Sequence, residues 1–95
     1  MARTPVIRIN LENVTSAAEL HALLMESLDF PGWYGRNWDA FWYAITGLVE
    51  MPEQLVLDGW QQFSQRMPAD AQLICKCLED LSEMYPRLSS TVVYA

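Results

Sequence analysis

Three short runs of mostly β-branched and aliphatic residues constrain this chain most: Val6–Ile9, Leu55-Val56-Leu57 and Thr91–Tyr94. Each is bounded by strand-ending residues, Pro5 and Asn10 around the first and Asp58-Gly59 after the second, and each reads as a strand. Long stretches with helical periodicity separate them, which rules out tight hairpins. Strands joined by helical crossovers pair in parallel with right-handed connections. The expected order is β-α-α-β-α-α-β, a small α/β domain of three parallel strands with flanking helices. At 95 residues the chain is one domain, spanning 1–95, with enough length for a single core and little to spare.

The helices announce their own ends. Ser16 and Glu19 have capping-box spacing, and Leu20, Leu23, Leu24 and Leu28 follow as a buried stripe. Asn37 stands where a second helix begins, its side-chain oxygen able to accept a first-turn N–H. Asp39 follows where the helix dipole favours negative charge. Phe41, Ala44, Ile45 and Leu48 recur at i, i+3, i+4, i+7 and form a core-facing stripe, while Asp39, Tyr43, Thr46 and Glu50 lie on another side. Pro52 bars continuation of this helix. Trp60–Arg66 is a short helix with Trp60 and Phe63 on one side. Pro68 opens the last long helix, with Ile74, Cys77, Leu78, Leu81 and Tyr85 on its apolar face and Lys76, Glu79, Asp80 and Glu83 outward.

Between the first two helices lies the loop Phe30–Arg36, containing Pro31-Gly32 and Gly35. Proline fixes φ and glycine permits positive φ, so the loop is expected to be ordered. It carries Trp33 and Tyr34 side by side. Large aromatics are mostly buried even in loops, which favours folding back onto the core. Aromatics on a glycine-bounded surface loop also suit a binding surface, because Trp and Tyr dominate interface hot spots.

Charge narrows the partner. Twelve acids against six bases give a net charge of −6, which argues against direct nucleic-acid binding and suits a basic protein partner. Cys75 and Cys77 point about 200° apart on a helix, so no intramolecular disulfide is expected. No metal-ligand or cofactor-binding pattern accompanies them. Cys77 falls on the apolar face and Cys75 nearer the surface. The N-terminus lacks an apolar signal region and no run approaches membrane-spanning length, so a cytoplasmic protein is expected. His21 is the single histidine, with no acid or nucleophile near it in sequence, and reads as structural or surface. Glu79, Asp80 and Glu83 read as a solvated face. No catalytic constellation emerges, and a non-enzyme is expected.

The run Trp33-Tyr34-Gly35-Arg36-Asn37-Trp38-Asp39-Ala40-Phe41-Trp42, followed by Ala44-Ile45-Thr46-Gly47, resembles the signature of the barstar family of ribonuclease inhibitors. That pattern is an aromatic, Tyr, Gly, any residue, Asn, an apolar residue, Asp, Ala, an apolar residue and Trp. The specific match lies within Leu28–Glu50, and the order of elements elsewhere is compatible. The resemblance implies a barstar-like fold, no cofactor, a monomer when free, and a ribonuclease as partner. It implies an inhibitory surface of Trp33, Tyr34, Gly35, Asn37 and Asp39, extended along the helix by Trp42, Tyr43 and Thr46. An acid of the last long helix adds a rim, Asp80 in first place, with Glu79 and Glu83 as alternatives. At Tyr43 the sequence departs from the best-known member, which has an aspartate that enters the nuclease active site. Carboxylates that occupy a cationic active site can mimic phosphate, and complementary charge speeds association. The competing expectation is a similar binding module whose partner is not a ribonuclease.

Overall fold

The computed structural model describes residues 3–95. Its elements are β1 (Val6–Asn10), α1 (Ala17–Leu28), α2 (Trp38–Tyr43), a π-helical segment (Ala44–Leu48), β2 (Gln54–Asp58), α3 (Trp60–Arg66), α4 (Pro68–Met84) and β3 (Thr91–Tyr94). One sheet has the order β1-β2-β3, with both pairs parallel. The expected β-α-α-β-α-α-β order and α/β class with a three-stranded parallel sheet are what the molecule has.

The central strand is the most apolar because it has neighbours on both sides. Leu55, Val56 and Leu57 are all buried. On β1 only Ile9 is buried, as befits an edge strand. Register pairs Ile7 with Leu55, Ile9 with Leu57 and Leu55 with Val92, placing these side chains on one face. The buried residues of the helices form one cluster with that face, including Leu20, Leu24, Phe41, Ile45, Phe63, Ile74 and Leu81. Arg8 points to the opposite face and donates to both carboxylate oxygens of Asp58, at 2.7 and 3.1 Å.

Caps fix the helix ends. Ser16 Oγ accepts from Glu19 N–H at 3.1 Å. Glu19 does not return the bond to the Ser16 backbone; its carboxylate accepts from the Thr15 hydroxyl at 2.6 Å. Asp29 ends α1 in the left-handed region, φ 59°. Gly59 caps α3 at φ 70°, and a Cβ there would lie 2.8 Å from backbone atoms of Glu12, so the position admits only glycine. Arg66 then donates to Glu12 O (2.7 Å) and Val14 O (2.9 Å), tying α3 to the β1–α1 connection.

Three details differ from the sequence pattern. Leu23 is only half-buried, and His21 takes a buried place beside Leu20 and Leu24 instead. Tyr85 falls beyond the end of α4 and is 44% exposed, because the helix stops at Met84 just before Pro86. The helix begun at Trp38 changes spacing at Ala44, and Val49 N–H bonds back to Ala44 O at 3.2 Å, five residues away. This shift in phase leaves Leu48 half-buried while Ala44 and Ile45 are fully enclosed.

Candidate functional site

The loop before α2 is held from below. Tyr34 is buried, its ring 4.8 Å from Phe30 and its hydroxyl 2.7 Å from His21 Nδ1. The same hydroxyl lies 3.5 Å from Asn37 O. Burial pushes the Tyr34 phenol well above its ordinary range, so it stays protonated. Burial likewise lowers the His21 imidazole below its usual value, against a smaller opposing pull from Asp70. His21 is thus a neutral structural residue that anchors the loop. The two sequence expectations for the aromatic pair divide between its members: Tyr34 folds back onto the core, whereas Trp33 is 70% exposed.

Gly35 serves close approach, since a Cβ there would sit 3.1 Å from Ala40 Cβ. The left-handed residue of this loop is Arg36, φ 55°, and neither Gly32 nor Gly35 adopts positive φ. Gly35 therefore acts through its size, whereas Gly32 has open space around it. Asn37 caps α2 as expected, with Oδ1 accepting from Ala40 N–H at 2.7 Å and Nδ2 donating to Gly35 O at 3.2 Å.

From this fixed start, α2 runs alongside α4 and the two enclose an open groove of about 540 Å³. Asp39, Trp42 and Tyr43 line one wall and Asp80 the other. The Trp38 indole N–H donates to Asp70 Oδ1 at 3.0 Å and ties the two helices together. Trp42 is half-buried, with its ring 6.4 Å from Tyr85. Thr46 lies outside the groove lining; its hydroxyl donates to Trp42 O at 2.7 Å, within its own helix. Of the nine residues singled out from sequence, then, Asp39, Trp42, Tyr43 and Asp80 share one groove. Trp33 is exposed on the preceding loop, and Tyr34, Gly35 and Asn37 shape that loop from within.

The groove also contains Leu73, Lys76, Cys77 and Met84 of α4. Sequence reasoning passed over Leu73 and Met84, yet 73, 76, 77, 80 and 84 are spaced i, i+3, i+4, i+7, i+11, a second stripe beside the core one. Lys76 Nζ lies 3.5 Å from Asp80 Oδ2. The Cys77 thiol is pushed up, chiefly by burial and then by Asp80, which keeps it protonated and unreactive. A cavity of similar size, about 580 Å³, lies at the β3–α4 edge beside Arg3, Glu53 and Glu79, and holds none of the nine.

Among the described residues no His, Cys, Asp or Glu cluster is placed to hold a metal ion, and no helix is long and apolar enough to cross a membrane. Groove and loop form an open surface, and among the residues that line the groove no nucleophile is paired with a base.

A family model described as "Barstar (barnase inhibitor)" matches residues 4–94. A Bacillus subtilis (strain 168) protein named "Putative ribonuclease inhibitor YrdF" is 36% identical over 64 residues, covering 67% of this chain and 70% of that protein.

Proposed function

The chain belongs to the barstar family, and from that premise we propose that it is an inhibitor that binds a ribonuclease and covers its active site, acting in the cytoplasm as an immunity protein or antitoxin. Family membership accounts for an inhibitor rather than an enzyme. The observation that carries the finer reading is the joining of Asp39 and Asp80 in one groove, with Trp33 exposed on the loop that leads into α2. A basic nuclease active site would meet the Asp39 carboxylate from α2, with Asp80 of α4 at the rim and an aromatic edge from the loop, in the manner of a phosphate mimic. Trp33, Asp39, Trp42, Tyr43 and Asp80 make the contact. Tyr34, Gly35, Asn37 and Thr46 set the shape that presents them. No cofactor or metal takes part, and the free protein is a monomer.

The test is inhibition of purified ribonucleases, barnase first, by the purified chain, together with rescue of cells expressing the same nuclease. Stoichiometric inhibition that survives EDTA is expected. Full nuclease activity in excess inhibitor, and no rescue, would overturn the reading. One observation favours a second reading, a binding module for a partner other than a ribonuclease: Tyr43 is 64% exposed where a phosphate mimic would place a carboxylate. A stable complex with a protein lacking nuclease activity would select it.

A further inference from the structure

Resting on the inhibitor reading above, we infer that the α2–α4 groove is specific for a partner loop presenting an aromatic side chain next to a single cationic one, and that apolar burial governs the contact. Tyr43 is 64% exposed, Met84 60% and Leu73 40%, and all three border the same groove. Large apolar side chains grouped in one exposed depression mark contact surfaces. The groove's charged side chains are two acids and one base, Asp39, Asp80 and Lys76, which leave it a net charge of −1. Lys76 lies within 3.5 Å of Asp80 and offsets it. Asp39 forms no ion pair among the described residues, so it is the groove's uncompensated charge. Charge complementarity therefore fits one partner cation opposite Asp39, and Lys76 repels a second. The remaining wall matches an uncharged ring, whose burial against Leu73 and Met84 supplies most of the affinity.

Blocked dipeptides probe this without the partner: acetyl-Trp-Arg-amide, acetyl-Ser-Arg-amide and acetyl-Trp-Glu-amide, each titrated into the full chain and followed by amide NMR shifts. The Trp-Arg peptide should perturb α2 and α4 and bind about tenfold more tightly, or better, than Ser-Arg, as expected for burying one aromatic side chain. Leu73→Asp and the milder Met84→Gln should each weaken it several-fold, and Asp39→Asn should remove its preference over Trp-Glu. Equal or tighter binding of Ser-Arg would overturn the proposal in favour of charge-governed recognition. Absent or scattered shifts would overturn it as well. Concentration-dependent shifts at the same amides without peptide would make a second copy of the chain the occupant. Ribonuclease inhibition by the same preparation tests the inhibitor reading separately, so a chain that inhibits yet prefers Ser-Arg loses only the present inference.

Discussion

Trp33 and Tyr34 are adjacent aromatics with opposite surroundings. Trp33 is 70% exposed, whereas Tyr34 is 5% exposed and hydrogen-bonded to His21. The contrast continues along α2 and the π-helical segment after it, where Phe41, Ala44 and Ile45 are buried and Asp39 and Tyr43 face outward. One stretch therefore has an inner side set by packing and an outer side on which the fold makes little demand. The inner side fixes where the outer side chains stand, so stability and partner binding should respond to different substitutions.

Phe41→Ala strikes the inner side hardest. Phe41 is fully buried and stacks edge-on near Phe30 and Trp38, so its loss should cost about 3–5 kcal/mol in denaturant unfolding. Unchanged stability would break the division between the two sides. Asp39→Ala is the counterpart on the outer side. It should weaken ribonuclease binding by at least about 2 kcal/mol, the level of an interface hot spot. Its stability cost should stay within about 1 kcal/mol, the helix-dipole contribution. Inhibition constants and thermal unfolding measured on one preparation check both values.

Tyr34→Phe tests whether a signature residue can be purely internal. Leaving buried His21 Nδ1 without its partner should cost about 1–3 kcal/mol of stability, while the folded fraction inhibits as well as wild type. The histidine adds a pH dependence whose sign follows from burial. Its folded pKa is lowered, so below the usual value of about 6.5 the unfolded chain takes up a proton that the folded one refuses. The contribution of neutral His21 is complete above that pH. It declines as pH falls toward the lowered folded value, by at most about 1.4 kcal/mol per pH unit. His21→Gln should flatten this part of the stability curve, and an unaltered slope would assign it to other groups. The smallest expected change is Tyr43→Phe, which removes only an exposed hydroxyl. Stability should be unaltered and binding weaker by about 0.5–1 kcal/mol if the hydroxyl bonds the partner.

The sequence made the topology legible because the strands are short apolar runs and the first crossover carries two readable caps. Ser16 and Asn37 both cap where the sequence placed them. What stayed hidden depends on residues distant in the chain. Nothing local separates Trp33 from Tyr34; the distinction comes from His21, thirteen residues earlier, meeting one and not the other. The groove wall on α4 was hidden for a different reason. Leu73 and Met84 belong to a second stripe that Lys76 and Asp80 interrupt, so hydrophobic periodicity does not mark it. The family resemblance pointed to Asp80, whereas Leu73 needed the position of α2 to bring it into the groove.

The widened turn at Ala44–Leu48 has a consequence for how the chain tolerates changes in length. Five residues there occupy a backbone span that a tighter coil would fill with one fewer. Gly47, with open space around it, is the natural residue to give up. Removing it would let the amide that now reaches five positions back to Ala44 reach four, so the rung is kept and the surplus residue disappears. The segment is a reserve of slack between the aromatic loop and the central strand. A length change there can be absorbed before it reaches either, which lets the outer face of α2 drift while the sheet keeps its register.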